Sequence, residues 1–268
     1  MRTFTLITGA SQGFGKAMAL ECAQRKMNLL LIALPQSGLG PLAAFIEKNL
    51  NVEVHFLECD LSTTESCYNI AKYVSQQKLN IRYLINNAGV LSRGMFDTLD
   101  PKFILRQIAV NVTTPTLLIR LLLENLKRSG PSAILNISSM ASFFSLPKKQ
   151  VYGATKSYVT AFSKTLKKEL KQHHISVTTI CPGGLNTTTR LCYQNRLVGW
   201  ITRQSVLNPE DAARIAIDAM LKNKTILVPG FVNQCLMFLN KLLPDFIKDY
   251  LANRELNKFP PGKLQPGI

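Results

Sequence analysis

Short apolar segments alternate with longer amphipathic segments along most of this 268-residue chain, and this alternation restricts the fold most. Parallel strands need a long crossover between them, so repeated strand–helix alternation predicts a parallel sheet. Seven segments have the character of strands: Phe4–Thr8, Asn28–Leu34, Val52–Leu57, Tyr83–Asn86, Ala133–Ile137, Ser176–Ile180 and Thr225–Val228. The main helical patterns are Gly15–Arg25, Leu39–Lys48, Thr64–Gln76, Phe103–Lys127, Val151–His173 and Pro209–Lys222.

The segment Asn28–Leu34 is almost continuously aliphatic, as expected of a strand that is covered on both faces of its sheet. The pattern therefore predicts a doubly wound α/β sandwich, the Rossmann fold, with about seven strands and helices on both faces. The alternation stops after Val228. We expect one α/β domain over residues 1–228 and a C-terminal helical appendage over residues 229–268.

The charge balance is strongly basic, with 32 Lys and Arg against 16 Asp and Glu. Nucleic acid, an anionic membrane surface, an anionic ligand or a charged soluble surface would each suit this excess. No docking motif or aromatic interleaving supports nucleic acid, and no His and Cys spacing suggests a metal site. No apolar stretch approaches the roughly 20 residues of a spanning helix, and no signal peptide is evident, so we expect a cytoplasmic protein.

A glycine-rich loop, Thr8–Gly15, follows the first strand and opens the first helix. Glycine lets the chain turn sharply and lets its backbone approach a pyrophosphate at a helix N-terminus. An ATP-binding phosphate loop is excluded, because Phe14 stands where that motif needs glycine and Ala17 follows Lys16. A purely structural glycine loop remains the alternative.

Two further strand ends carry small or polar side chains. Asp60 follows the third strand, where a carboxylate can accept a hydrogen bond from an adenine amino group or cap the next helix. Asn86–Gly89 follows the fourth strand, and small residues there would let a cofactor lie across the edge of the sheet.

Tyr152 and Lys156 are four positions apart and share one face of a predicted helix. A nearby ammonium lowers the pKa of a tyrosine from about 10 toward the range useful for proton transfer. An ordinary surface pair is the alternative. Ser139 follows the fifth strand, where its hydroxyl can reach a substrate carbonyl or cap a turn, with Ser138 as its rival. Asn111 lies in an apolar helix pattern, where its amide needs partners and a packing role is the alternative.

Taken in order, these motifs resemble the short-chain dehydrogenase/reductase family, and they extend from Thr3 to about Val228. The nearest branch in character contains 3-oxoacyl reductases and hydroxysteroid dehydrogenases. The resemblance rests on the TGxxxGxG loop, Asp60, Asn86–Gly89, Asn111, Ser139, the Tyr152-Gly-Ala-Thr-Lys156 run, Pro182-Gly183 and Thr187.

The resemblance implies hydride transfer between a nicotinamide cofactor and a carbonyl or alcohol carbon. It makes Tyr152 the general acid or base, supported by Lys156, while Ser139 orients the carbonyl and Asn111 supports a proton relay. The implied cofactor-binding residues are Gly9, Ser11, Gln12, Gly13, Phe14, Gly15, Ser37, Asp60, Leu61, Asn87, Ala88, Gly89, Tyr152, Lys156, Pro182, Gly183 and Thr187.

The choice between NAD and NADP is less directly encoded. The second strand ends in Ala33-Leu34-Pro35-Gln36-Ser37, without the acidic residue of NAD-preferring relatives, and Gln12 replaces the basic residue of NADP-preferring ones. No carboxylate at this place would repel a 2′-phosphate, Ser37 can donate a hydrogen bond to one, and the positive field of the protein favours it. We therefore expect NADP as the preferred cofactor, with NAD as the alternative.

Two regions bear on substrate and partners. The expected substrate loop, Asn186–Ser205, holds three arginines, Tyr193 and Trp200, which would suit an anionic substrate or a solvated lid with an aromatic anchor. The tail repeats apolar residues at helical spacing from Val232 to Leu251, and Pro244 predicts a kink or two short helices.

That tail would cover the substrate cleft, form an oligomer interface or lie on a membrane surface. We expect a homo-oligomer with a lipophilic carbonyl or alcohol substrate and no nucleic-acid partner. The alternative function is a catalytically silent nucleotide-binding or membrane-associated scaffold.

Overall fold

The computed structural model describes residues 2–92, 94–187, 205–244, 246–248 and 250. At its centre seven parallel strands form one sheet, in the spatial order β3-β2-β1-β4-β5-β6-β7. They are β1 (Thr3–Thr8), β2 (Asn28–Ala33), β3 (Val54–Glu58), β4 (Asn80–Asn86), β5 (Ser132–Ile137), β6 (Ile175–Ile180) and β7 (Ile226–Leu227). The predicted strands are all present, and the doubly wound Rossmann fold is confirmed.

Helices connect the strands in the predicted order. They are α1 (Gly13–Gln24), α2 (Leu39–Leu50), α3 (Thr64–Gln76), α4 (Pro101–Ile108), α5 (Thr114–Arg128), α6 (Gln150–Leu170), α7 (Pro209–Leu221) and α8 (Phe231–Leu242). Local chemistry fixes two of the starts. The Thr63 side chain accepts a hydrogen bond from the Ser66 N–H at the start of α3, and Asp100 accepts one from the Lys102 N–H at the start of α4.

The strand β2 shows why both faces of the sheet must be covered. Leu29 to Ala33 are all buried, and successive side chains point to opposite faces of the sheet. Leu29 and Leu31 pack toward α1, α2 and α7, while Leu30 and Ile32 pack toward α3, α5 and α6. An almost continuous aliphatic strand therefore supplies two hydrophobic cores at once. This division places α2 and α5 on opposite faces of the sheet.

The strand order reverses at β1, which pairs with β2 on one side and β4 on the other. Ligands of open α/β sheets bind in the crevice at such a switch point, beyond the carboxyl ends of the strands. The Thr8 hydroxyl links the carboxyl ends of β1 and β4, because it accepts hydrogen bonds from the Asn87 and Ala88 N–H groups, both at 3.0 Å. The fold thus prepares a crevice where the sequence predicts the cofactor.

The predicted helix Phe103–Lys127 is not continuous, which corrects the sequence-based expectation. It is divided into α4 and α5 by a π-helical turn over Ala109–Thr113. Pro115 explains this interruption, since it has no N–H to donate to the carbonyl of Asn111 four residues earlier. The functional consequence is that Asn111 lies within a π-helical turn, a feature that often marks functional sites.

The C-terminal segment begins with α8, which ends at Leu242, two residues before Pro244. Residues 246–248 are helical again, as a break at Pro244 predicts. The side chain of Asn233 on α8 is buried and donates to the carbonyls of Ser205 and Pro229, both at 2.9 Å. The helix is therefore anchored to the α/β domain, while the proposed domain division at residue 228 stays a prediction.

Two sequence-based expectations fall outside the described residues. Most of the predicted substrate loop, with Arg190, Tyr193, Arg196, Trp200 and Arg203, lies in residues 188–204, and the tail beyond Tyr250 is likewise not described. None of the helices in the described part of the chain combines the length and apolar character needed to cross a membrane.

Candidate active site

The glycine loop wraps tightly around the N-terminus of α1. Gly9 and Gly13 have φ values of +66° and +53°, a left-handed conformation that side chains rarely adopt. A methyl group on Gly15 would collide with the Gly9 carbonyl oxygen and would lie 2.5 Å from the Asn87 amide nitrogen. The loop therefore requires glycine for its own packing, and this packing leaves its outer surface to the crevice.

The end of α1 suits an anionic group. The side chain of Gln12, the N-cap residue, makes no capping hydrogen bond with the described residues, and the first turn contains no acidic residue. Uncapped N–H groups together with the helix dipole favour a phosphate at such a position. The residues present thus fit the pyrophosphate of a dinucleotide.

A cleft of about 320 Å³ opens from this helix end along the carboxyl edge of the sheet. Thirteen of the seventeen residues predicted to bind a cofactor line it: Gly9, Ser11, Gln12, Gly13, Phe14, Gly15, Ser37, Asp60, Leu61, Asn87, Ala88, Gly89 and Thr187. The sequence reasoning missed six others: Ala33, Leu34, Cys59, Val90, Arg106 and Val110. The residues that line the cleft include ones at or just after the ends of β1, β2, β3 and β4.

Several cleft residues also have structural partners. The Asn87 amide donates to the carbonyls of Thr8 and Gly9, at 2.9 and 3.2 Å, and so holds the glycine loop. Asp60 accepts a hydrogen bond from the Ser62 N–H at 2.9 Å, whereas Thr63 caps α3. Asp60 therefore does not cap α3. Its side chain instead stabilises a turn in the preceding loop, and its carboxylate lines the cleft.

Ser37 lines the cleft, but its hydroxyl donates to the carbonyl of Leu34 at 2.6 Å. A hydroxyl has one proton, so Ser37 must exchange this bond in order to donate to a 2′-phosphate. The predicted role of Ser37 in NADP preference thus requires a local rearrangement.

Lys156 is buried on α6, and its ammonium donates to the carbonyl of Ile137 at 2.9 Å. Burial lowers the pKa of this lysine to about 8. Its Nζ lies 5.9 Å from the centre of the Tyr152 ring, and Tyr152 is only partly buried. The surface-pair alternative is therefore wrong for Lys156, whose charge is held beside the tyrosine ring inside the protein.

Asn111 is also buried, and its side chain has three partners. Its Oδ1 accepts from the Val90 N–H at 2.8 Å, and its Nδ2 donates to the Val90 carbonyl and the Thr155 hydroxyl, both at 3.0 Å. The packing role considered from the sequence is thus present. Both Asn111 Oδ1 and Lys156 Nζ lie 3.4 Å from the position that a methyl group on Gly89 would occupy. The two predicted residues therefore meet at the edge of the cleft.

The two neighbouring serines differ in their surroundings. Ser138 is buried, and its hydroxyl bonds to the Lys156 carbonyl and to the Thr160 hydroxyl, at 2.8 and 2.7 Å. Ser139 is partly exposed and accepts from the Ala141 N–H at 3.1 Å, as a turn cap does. Ser138 is thus committed to packing, and Ser139 is the more exposed of the two serines.

Pro182 and Gly183 do not line the cleft volume, nor do Tyr152 and Lys156. The Pro182 carbonyl instead accepts a hydrogen bond from the N–H of Met140, the residue after Ser139, at 2.9 Å. Gly183 packs against the buried amide of Asn233 on α8. These four residues continue the site beyond the cleft, on the side of Ser139.

The six missed cleft residues gave different signals. Ala33, Leu34 and Cys59 flank strand ends that the sequence already placed at this edge, and Val90 follows the Asn86–Gly89 run. Arg106 and Val110 lie on a helix pattern five residues and one residue before Asn111. Only the three-dimensional packing of α4 against the β4 end brings Arg106 to the cleft, and no sequence signal marks it.

The comparisons with known proteins agree with this geometry. Residues 3–195 match the family model described as short chain dehydrogenase. The chain is 30% identical over 189 residues to 17-beta-hydroxysteroid dehydrogenase type 3 of Homo sapiens, covering 70% of this chain and 60% of that protein. It is 32% identical over 183 residues to very-long-chain 3-oxoacyl-CoA reductase-A of Danio rerio, covering 67% and 57%. The matches thus span less than two thirds of these two relatives.

A solved structure gives the same result for the fold. The short-chain dehydrogenase from Sphingobium yanoikuyae, in complex with NADPH, superimposes with a TM-score of 0.77 at 25% identity, over 98% of both chains. The family model covers well over half of this chain, the glycine loop lines the cleft, and Asn111 and Lys156 meet at its edge, with Lys156 beside Tyr152. The chain therefore belongs to the short-chain dehydrogenase family.

Proposed function

We propose that this chain is an NAD(P)-dependent oxidoreductase that transfers a hydride between the cofactor and a lipophilic carbonyl or alcohol substrate. The observation that carries this proposal is the buried ammonium of Lys156, held beside Tyr152 and against Gly89 at the edge of the cleft. Family membership supports the reaction class. The bound nicotinamide would supply or accept the hydride.

The chain's own residues would handle the proton. In the reductive direction, the Tyr152 hydroxyl donates a proton to the carbonyl oxygen, and the adjacent Lys156 ammonium stabilises the phenolate that remains. The Ile137 carbonyl fixes the position of that ammonium. Ser139 orients the substrate oxygen by a hydrogen bond, and Asn111 holds the Val90 backbone and the Thr155 hydroxyl in place beneath the site.

The cofactor would lie with its pyrophosphate at the N-terminus of α1, lined by the thirteen cleft residues named above. We propose NADP as the preferred form, because no carboxylate follows β2 and Ser37 lines the cleft there. The NADPH complex of the Sphingobium yanoikuyae protein supports a cofactor of this type.

The substrate is proposed to be a 3-oxoacyl or steroid-like compound. The names of the two relatives, one a hydroxysteroid dehydrogenase and the other a 3-oxoacyl-CoA reductase, support this class. A panel of 3-oxoacyl thioesters and ketosteroids, each assayed by NADPH and NADH oxidation, tests it.

The test of the mechanism is Tyr152→Phe, which removes the hydroxyl and keeps the ring. We expect turnover to be abolished while NADPH affinity stays within about twofold, because the hydroxyl acts on the substrate proton. Persisting turnover would show that Tyr152 is not the acid or base. Normal cofactor binding without turnover of any substrate by the wild-type chain would favour the silent scaffold.

We further propose that α8 contacts a membrane surface, through which a lipophilic substrate would arrive. Its outward side chains Phe231, Phe238 and Leu242 are each more than 60% exposed, and its Asn240 donates to the carbonyl of Phe143 near Ser139. An amphipathic helix with such a face partitions into a lipid interface.

Sedimentation with phosphatidylserine-containing vesicles tests this contact. We expect Phe238→Ser with Leu242→Ser to reduce the bound fraction severalfold, and Phe45→Ser on α2 to leave it unchanged, since Phe45 is exposed on a different helix. Equal binding by all three proteins would exclude α8 as the contact.

A homo-oligomer is proposed to form through α4 and α6. Leu105, Ile108 and Tyr158 are exposed there, around a shallow apolar depression that includes Val112 and Val151. Apolar surface of this kind is typically covered in an assembly. Analytical ultracentrifugation of the wild type and of Leu105→Glu would show a dimer or tetramer that the variant dissociates; a monomeric wild type would contradict the proposal.

A further inference from the structure

Arg106 on α4 lines the cofactor cleft together with Leu61, Val90 and Val110. Its side chain is exposed, and its guanidinium forms no hydrogen bond or ion pair with any described residue. Two other arginines do have partners. Arg25, just after α1, pairs with Glu21 and Asp218, and Arg82 on β4 donates to the Pro131 carbonyl. Arg106 is thus a cation in the wall of the cleft that no described residue neutralises.

Few of the side chains that line this cleft are charged. Among its described lining residues, Asp60 and Arg106 are the ionisable side chains apart from the thiol of Cys59. Asp60 already accepts a hydrogen bond from the Ser62 N–H, and it forms no ion pair with Arg106 among the described residues. A guanidinium left in this state is available to a ligand.

The position of Arg106 selects one part of a dinucleotide. The pyrophosphate fits the N-terminus of α1, so the adenosine half extends toward the ends of β2 and β3. Arg106 lines the cleft together with Asp60 and Leu61, which follow β3, and the Thr114 hydroxyl at the start of α5 donates to the Leu61 carbonyl at 2.6 Å. Arg106 therefore belongs to the adenine part of the cleft.

The neighbours of Arg106 indicate how it would act there. Leu61, Val90 and Val110 are apolar, which suits the flat face of a purine rather than a phosphate. Ser37, the residue proposed to meet a 2′-phosphate, precedes α2, which packs on the other face of the sheet from α5. A guanidinium is planar and stacks well on aromatic rings, and it keeps its charge at any working pH.

We propose that Arg106 closes the adenine end of the cleft by stacking its guanidinium on the purine ring of the cofactor. This inference rests on the proposed function and adds a binding residue that neither the family motifs nor the sequence pattern marks. It implies that Arg106 strengthens every adenine-containing ligand similarly, whether or not a 2′-phosphate is present.

The experiment is a calorimetric titration of the wild type, Arg106→Ala and Arg106→Lys with NADPH, NADH, ADP-ribose and reduced nicotinamide mononucleotide. Lys102→Ala is the matched control, since Lys102 is an exposed cation on the same helix that does not line the cleft. We expect Arg106→Ala to weaken the three adenine ligands about tenfold and to leave the mononucleotide unchanged. We expect Arg106→Lys to recover only part of this loss, because it restores the charge without the plane.

The other outcomes overturn the inference in distinguishable ways. A loss confined to NADPH, or full recovery in Arg106→Lys, would show an electrostatic contact to phosphate instead of stacking. An Arg106→Ala variant that behaves like Lys102→Ala would show that Arg106 does not touch the ligand. If the wild type binds none of the dinucleotides, the proposed function itself fails.

Discussion

The proposed catalytic row, defined as Asn111, Ser139, Tyr152 and Lys156, differs from the proposed cofactor cleft in how its polar groups are satisfied. In the row, the Asn111 amide has three protein partners and the Lys156 ammonium is fixed on the Ile137 carbonyl. In the cleft, the N-terminus of α1 has no cap and Arg106 has no partner among the described residues.

This difference separates two tasks. The groups proposed to handle the proton include Lys156 and Asn111, whose side chains are held in place by protein partners. Catalysis requires preorganisation of this kind. The cleft leaves donors open, so that a ligand can satisfy them. Substitutions in the row should therefore reduce both stability and activity, whereas substitutions in the open part of the cleft should reduce binding alone.

The largest effect is expected from Gly15→Ala, which tests the tightly packed glycine loop at the edge of the open cleft. The added methyl would collide with the Gly9 carbonyl, so the loop must move. We expect NADPH affinity to fall at least about 100-fold, with a loss of about 1–3 kcal/mol in unfolding free energy. Gly40→Ala is the control, because its methyl would lie 3.5 Å from Phe56 in ordinary contact. Unchanged affinity in Gly15→Ala would show that the loop does not bind the cofactor.

The next effect is expected from Asn111→Ala, which breaks the row. The Val90 N–H loses its partner inside the protein, so urea unfolding should show a loss of about 2–4 kcal/mol. The control is Asn49→Ala, whose exposed amide donates to the Phe45 carbonyl and should cost no more than about 0.5 kcal/mol. Equal costs for the two variants would mean that the Asn111 network contributes nothing special.

Lys156→Met tests the buried charge through its dependence on pH. Burial lowers the folded-state pKa of Lys156 from 10.5 to about 8, so the unfolded chain binds more protons between these values. The unfolding free energy of the wild type should therefore rise relative to Lys156→Met as pH increases from 8 to 10.5, by at most about 3 kcal/mol. Urea titrations across this range measure the difference. Parallel profiles would show that the Lys156 pKa is not lowered.

The smallest effect is expected from Ser37→Ala, which sharpens the description of the open cleft. The hydroxyl already bonds to the Leu34 carbonyl, so only part of its strength is available to a 2′-phosphate. We expect NADPH affinity to fall about threefold while NADH affinity stays the same. A parallel loss for both cofactors would assign Ser37 to loop structure alone.

The same contrast explains which features of the molecule could be predicted from the sequence. The alternation of segments was sufficient to predict all seven strands, because burial on both faces imposes a continuous aliphatic pattern such as that of β2. The glycine loop and the Tyr152–Lys156 spacing were recognisable because their chemistry needs particular residue types at fixed spacing. These are local constraints, and a sequence records them directly.

What the sequence could not show depends on packing between distant segments. The π-helical turn at Asn111 interrupts a pattern that predicts one helix, and the commitment of the Ser138 hydroxyl to Lys156 and Thr160 is a contact between distant segments. Arg106 enters the cleft only through the approach of α4 to the β4 end. The roles of these residues in binding and catalysis stay predictions until they are measured.

The central claim is that this cleft binds a nicotinamide dinucleotide for hydride transfer beside Tyr152 and Lys156. Fluorescence titration of the wild-type chain with NADPH and NADH tests it most directly. We predict saturable binding of both, with NADPH the tighter ligand, because the α1 N-terminus fits the shared pyrophosphate and no carboxylate after β2 repels a 2′-phosphate. Failure to bind either cofactor would contradict the account.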